Sequence, residues 1–256
     1  MIKLTAHIPT EQYGFMEVSG DLEDQSEVER LYNHYAETPI NFTPTNRKLI
    51  QAFVGGEIYY DDLTHTYTNE AGEVYLSGSQ YANQFKKPFN KQAIAGKMAS
   101  RYGVESKDII DMWELKGEVS RGFGTAMHAS LELYGKYNGL ATALERDTAM
   151  HDHPVIKTAV TAFYEGRDKE KAVYEVMVVD SNAKRAGQID RLLITGNKRC
   201  RVQDYKTNAD ITKDLDVYWK QLEFYADILT AGGWVVEGLD IFHWDGTWKT
   251  YTKGEK

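Results

Sequence analysis

The chain has 256 residues, 42% hydrophobic and 27% charged, enough for one sizeable domain with a buried core. A formal charge of -8 argues against a basic coat that wraps nucleic acid unselectively, though it leaves room for a local basic groove. Cys200 is the single cysteine, which excludes an intramolecular disulfide, a four-cysteine zinc site and a cysteine-ligated iron–sulfur cluster.

No apolar window is long enough to cross a bilayer. The opening MIKLTAHIPT lacks the apolar block of a signal peptide, so the sequence reads as cytoplasmic and without a membrane partner. Residues 1–50 read as a small appendage. Short strands are expected at Met1–Pro9 and Tyr13–Val18. A helix is expected over Ser26–Glu37, where Ser26 and Glu29 have the spacing of a capping box. No chemistry is legible there, and a structural or protein-contact role is the expectation.

Residues 47–54 read as a short strand or helix, and Gly55–Leu76 as a hairpin with a turn at Asn69–Gly72. His65 stands alone on a strand-like segment and reads as exposed or hydrogen-bonded. From Ser77 to Gly117 the period becomes helical, with Lys and Arg interleaved among aromatic rings. That pattern suits either a single nucleic-acid strand or an ordinary amphipathic subdomain. Ser77 starts one helix and Ser106–Leu115 forms another. A further helix runs from Thr125 to Tyr137 behind Gly122 and Gly124, with His128 and Glu132 on one face. The triplet His151-Asp152-His153 looks like a metal box, but Pro154 favours a loop entering the helix Val155–Tyr164.

Residues 174–207 contain three short apolar runs separated by polar turns, which predicts three consecutive antiparallel strands. Each carries one acid where the pattern expects a core: Glu175, Asp190 and Asp204. Burying an unpaired carboxylate is costly, so these acids need partners. Lys206 lies two residues past Asp204 and shares its face. It could neutralise Asp204 in a structural ion pair. Alternatively a divalent cation neutralises Asp190 and Asp204 together, and the lysine handles the attacking water of a phosphodiester hydrolysis. The triplet alone is weak, since Glu105-Ser106-Lys107 and Glu114-Leu115-Lys116 share the pattern. Only Asp204-Tyr205-Lys206 ends a strand and follows Gly187-Gln188-Ile189-Asp190 by one hairpin. His128 would complete a mixed imidazole and carboxylate site, tilting preference toward Mn²⁺ over Mg²⁺. Glu132 could orient His128. Leu215–Thr230 is an amphipathic helix stopped by Gly232-Gly233, and a final hairpin turns at Asp245-Gly246.

In this order the motifs resemble the PD-(D/E)XK nuclease core over roughly residues 121–245. Gly124-Thr125-Ala126-Met127-His128 is similar to the G-T-x-x-H helix of the RecB-like branch. Glu175, Gly187-Gln188-Ile189-Asp190 and Asp204-Tyr205-Lys206 match the acids of the three core strands. Gln221 to Tyr225 matches the Q-x-x-x-Y helix. Within the branch the chain resembles the cluster-free exonucleases of phages and the mitochondrial genome-maintenance exonuclease. Ile189 replaces the proline of the family name, and the four cluster-binding cysteines are missing.

The resemblance implies an α/β (α+β) fold: a restriction-endonuclease-like core, with a central mixed sheet flanked by helices. A helical insertion and a small N-terminal appendage accompany it. The implied division is 1–50 appendage, 51–120 hairpin plus helical substrate-binding region, and 121–256 nuclease core. It implies a Mg²⁺- or Mn²⁺-dependent deoxyribonuclease with no iron–sulfur cluster. Asp190, Asp204, Lys206 and Glu175 would be catalytic. His128, Asp190, Asp204 and the Tyr205 carbonyl would hold metal. Gln221, Tyr225, Lys220 and Thr125 would contact substrate. The expected substrate is single-stranded DNA ends, in phage or in replication and recombination processing. The appendage would meet a phage or host recombination protein. The alternatives are a structure-specific endonuclease and a non-catalytic DNA-binding or assembly protein on the same scaffold.

Overall fold

The computed structural model describes residues 3–10, 14–21, 47–61, 64–137 and 153–254. The chain divides into two compact units, Met1–Thr45 and Asn46–Lys256. In the first, β1 (Lys3–Thr10) and β2 (Gly14–Asp21) pair antiparallel from Lys3↔Asp21 to Thr10↔Gly14. Both strands expected there are present. The helix expected over 26–37 lies outside the described residues.

The second unit is built on a nine-stranded mixed sheet flanked by helices. β3 (Arg47–Gln51), β4 (Glu57–Asp61), β5 (Thr66–Thr68) and β6 (Val74–Ser77) form an antiparallel meander. Tyr60, Tyr67 and Tyr75 bury their rings in it. β6 then joins the core, pairing parallel to β8 (Arg185–Gly196) at Leu76↔Arg185 and Ser77↔Ala186. β7 (Ala172–Asp180) and β9 (Arg199–Lys206) flank β8 antiparallel. β10 (Val235–Trp244) lies parallel to β9, and β11 (Trp248–Lys253) closes the edge.

Ser77 starts α1 (Gly78–Asn83) as expected, in a reciprocal capping box with Gln80. α2 (Lys91–Tyr102) follows, capped by the Asn90 side chain. α3 (Ser106–Tyr137) departs from the sequence reading, which places two helices here. It is one unbroken helix of 32 residues, about 48 Å long. Thr125 is therefore an exposed interior residue and not a cap, and the division at residue 120 falls inside α3. Gly117, Gly122 and Gly124 each cost about 1 kcal/mol relative to Ala. Burial at both ends outweighs this: Ile109 packs on α2, and Met127 and Leu131 pack in the central core. Gly124 also has a positional reason, because a Cβ there would stand 3.1 Å from Thr207 Oγ1.

Two helices cover the sheet. α4 (Pro154–Tyr164) starts with proline in its first turn and buries Ile156, Val160 and Phe163 against Tyr205, Phe242 and Trp244. α5 (Leu215–Ala231) is the parallel crossover from β9 to β10 and buries Leu222, Phe224, Tyr225, Ile228 and Leu229.

Strand register in the core is fixed by a polar rung. Arg191, Gln203, Asp240 and Thr252 occupy matched positions on β8, β9, β10 and β11. Arg191 donates to Gln203 Oε1. Gln203 Nε2 donates to Asp240 Oδ2 at 2.8 Å, and Thr252 Oγ1 to Asp240 Oδ1 at 3.0 Å. Arg201 grips both Asp240 oxygens, at 2.9 and 2.7 Å, and Glu170 receives the other end of Arg191 at 2.6 Å. A one-residue slip of β9 would unpair these buried charges at several kcal/mol, roughly 3–5.

The Tyr225 ring lies between β8 and α1, against two glycines. A Cβ at Gly78 or Gly187 would stand 2.4 Å from Tyr225 Cε1. Gly187→Ala should therefore destabilise the fold by about 1–3 kcal/mol, read as a lower urea midpoint with an unchanged slope.

Candidate active site

The three strand acids fall on one line across the sheet. β7 pairs with β8 at Tyr174↔Arg191 and Val176↔Ile189, which sets Glu175 opposite Asp190. β8 pairs with β9 as far as Arg191↔Gln203, so the next step sets Asp190 opposite Asp204. The ladder opens at that step. The Tyr205 N–H, without a strand partner there, donates to Asp190 Oδ2 at 2.9 Å. Glu175 has φ 50°, left-handed backbone that is uncommon for a residue with a side chain. Such a conformation costs of order 1–3 kcal/mol and persists where the surroundings impose it.

Lys206 Nζ stands 2.5 Å from Asp204 Oδ2 and 4.9 Å from the centre of the Tyr218 ring on α5. Asp204 is buried, and its Oδ2 accepts no well-angled hydrogen bond despite the nearby ammonium. His128 approaches from α3, with Nδ1 at 3.4 Å from Asp190 Oδ2 and its ring edge on Tyr205. A cavity of about 400 Å³ opens here, lined by His128, Glu132, Glu175 and Asp190, with Gly124 and Thr125 on its α3 side. The spacing of the helix and the register of the strands thus converge on one cleft.

The charges in this cleft are unbalanced. Burial raises the Glu175 carboxyl to about 8, helped by repulsion from Asp190 and Glu132. Burial also raises Asp204, to about 6; Lys206 opposes the rise and Asp190 adds to it. Burial works against the Lys206 ammonium, yet Asp204 and Asp190 outweigh it and hold the lysine protonated. An ion pair alone would lower Asp204. Its rise means that burial, with Asp190 adding to it, outweighs what Lys206 offers Asp204.

The donors fit a hard divalent cation by kind: carboxylates, an imidazole, and a buried Asp204 oxygen that Lys206 approaches without a well-angled hydrogen bond. The cage is not preassembled. Among the described residues, no three His, Cys, Asp or Glu side chains are gathered closely enough to hold an ion as they stand. Asp190 is occupied by Tyr205 and His128, and Asp204 by Lys206.

Other expected residues lie on α5 and make contacts of their own. Gln221 Nε2 donates to Tyr225 OH at 3.0 Å, so these two α5 residues brace each other. Tyr225 is buried, and burial holds its phenol well above the ordinary value. Lys220 pairs with Glu223 at 2.8 Å and lies near the Phe85 ring. His151 and Asp152 lie outside the described residues, while His153 precedes Pro154 at the start of α4. His65 was not expected in the cleft but lines it. It is exposed, has φ 51°, and is held by Tyr60 OH at 2.7 Å from Nδ1. No local signal in the sequence carries this, because the placement depends on the meander folding back to the core.

A parallel crossover onto an antiparallel core, with acids where two strands part and a lysine two residues on, defines a hydrolytic nuclease core. The chain belongs to the PD-(D/E)XK nuclease superfamily, whose family model matches residues 100–246. Nucleases of this superfamily act on DNA and generally use divalent metals such as Mg²⁺. Among solved structures, the crystal structure of SSO0001 is similar at 14% identity. The match covers 57% of this chain and 78% of that one, with a TM-score of 0.29. No curated protein matches the chain.

The raised Glu175 carboxyl sets a sign for stability against pH. Below about 4.5 both folded and unfolded chains hold this proton. Between there and about 8 the unfolded chain releases it while the folded chain keeps it, so stability falls as pH rises. In chelator, Glu175→Gln should raise the thermal midpoint at pH 9 and change it little at pH 4. Equal shifts at both pH values would mean that Glu175 is not strained by its charge.

Proposed function

We propose that the protein is a divalent-cation-dependent DNA exonuclease of the RecB-like branch, acting on single-stranded ends in DNA processing. The observation that carries this is that Asp190 lines the cleft 3.4 Å from His128 and stands opposite Asp204, which Lys206 approaches, so that the acids outnumber the cations. A bound Mg²⁺ or Mn²⁺ supplies Lewis acidity toward the phosphate and lowers the pKa of coordinated water.

The chain's own residues do the rest. Asp190 and Asp204 would hold the cation, with His128 and the Tyr205 carbonyl as further ligands. Glu175 is the outer acid of the row and would bind a second cation or its water. Lys206 stays protonated between Asp204 and Tyr218, holds the attacking water and offsets charge on the phosphate. The Gln221–Tyr225 pair fixes the α5 wall next to β8. Thr125, exposed on the cleft side of α3, contacts the strand. Lys220 gives a secondary contact from α5.

Charge favours a strand end over a gripped duplex. The chain is net negative, and Lys206, Lys220 and Lys136 are each paired with an acid. Beside the acid row, Lys206 and Lys136 are thus engaged with carboxylates and not open to a row of duplex phosphates.

End-labelled linear and circular single-stranded DNA, with Mg²⁺ or Mn²⁺ and a chelator control, tests the reading. The linear strand should be degraded only with the metal, and the circle should survive. A cut circle would make the enzyme an endonuclease. Asp204→Asn, which keeps the side-chain shape, should slow cleavage by at least about 100-fold with an unchanged circular dichroism spectrum. Full activity in that variant would remove the assignment of the site.

A further inference from the structure

A second cavity, of about 520 Å³, lies outside the acid cluster, against α3. Its floor is the Phe89 and Trp113 rings, tilted with centroids 5.7 Å apart. Phe89 is 64% exposed, although it is a large apolar ring with no core to join. Lys91 and Arg121 also line it. Lys91 is held by Glu114, whereas Arg121 has no ion pair or hydrogen bond among the described residues.

The position of this cavity relative to the first is set by one helix. Glu114, Gly117, Glu118 and Arg121 face the second cavity, and Gly124, Thr125, His128 and Glu132 face the first. Steps of three and four residues make this a single face of α3. The two cavities therefore sit along consecutive turns, with Gly117 about 16 Å from His128 along the axis. Gly124 keeps the near edge of the first cavity low, and Arg121, with no ion pair among the described residues, stands at the near edge of the second.

We propose that the Phe89–Trp113 cavity is a binding site for one unpaired nucleobase of the strand whose end lies at Asp190 and Asp204. The base stacks on the Phe89 ring, and Arg121 holds a backbone phosphate on the way to the cleft. Stacking on an aromatic ring tolerates any base, as an exonuclease requires. The proposal deepens the nuclease reading and rests on it for the direction of the strand.

Binding tests it separately from cleavage. The probe is a fluorescein-labelled oligothymidylate of about 15 nucleotides, bound to the full chain in chelator and followed by anisotropy. Phe89 is exposed, so Phe89→Ala should fold normally. It should weaken binding about 5- to 100-fold, the range expected for losing one stacked base. Oligonucleotides with a single abasic position walked along the strand should show one position with the same loss in the wild type. That position should cause no further loss in Phe89→Ala. Arg121→Gln should weaken every oligonucleotide alike. With metal, both variants should raise KM for the linear strand and leave kcat within about twofold.

Unchanged binding by Phe89→Ala overturns the base site while leaving nuclease activity untouched. A loss spread evenly over all abasic positions overturns it too. So does a concentration-dependent mass that Phe89→Ala abolishes, which would make the rings a contact between copies. Failure of the wild type to cleave any DNA sinks the nuclease reading instead, and the anisotropy result still decides whether the rings hold a base.

Discussion

Two aspartates face each other where a strand pair opens, and one ammonium is shared against both. That shortage of positive charge is the constraint around which the fold is arranged. β8 and β9 run as a normal ladder until Arg191↔Gln203 and then part. The Asp190 carboxylate takes over as acceptor for Tyr205. The acid thus replaces a backbone group in the ladder, which fixes its oxygen without using an ordinary rotamer-rich contact. Burial raises the proton affinity of Glu175 and Asp204, and repulsion from Asp190 adds to it.

Such crowding is tolerated because the neighbouring rung is fully satisfied. One residue along each strand, Arg191, Gln203 and Asp240 form a chain of hydrogen bonds in which no charge lacks a partner. The contrast is chemical. The rung is neutral in sum and rigid, and holds the strands in register. The acid row is negative in sum and strained, with its own backbone distortion at Glu175. Aromatic packing by α4 on Tyr205 and by α5 around Tyr225 then presses the sheet from both sides. Stability is drawn from these layers, and the cleft carries the frustration.

Much of this was legible in the sequence because it depends on short periods. The acids of β7, β8 and β9 stand out as charges within apolar runs, and Asp204 and Lys206 are two apart on one strand. His128 is signalled by the motif Gly124-Thr125-Ala126-Met127-His128, and helix spacing puts it on one face with Glu132. What failed is instructive. Gly122 and Gly124 read as a helix boundary, yet α3 runs through them, since packing at its ends outweighs weak local propensity. Gly124 answers to the approach of Thr207, a contact that no local pattern encodes. Glu175 gives no hint of its left-handed backbone. His65 arrives in the cleft only through the tertiary path of the meander, sixty residues before the nearest motif.

The continuity of α3 has a mechanical consequence. A hydrogen-bonded rod without a joint between Trp113 and His128 cannot lengthen or shorten to suit its cargo. With the base site proposed above it would act as a ruler, and a strand too short to reach both cavities would lose one of its two contacts. On the proposed exonuclease reading, digestion would slow near one residual length, set by the number of helical turns between the two cavities.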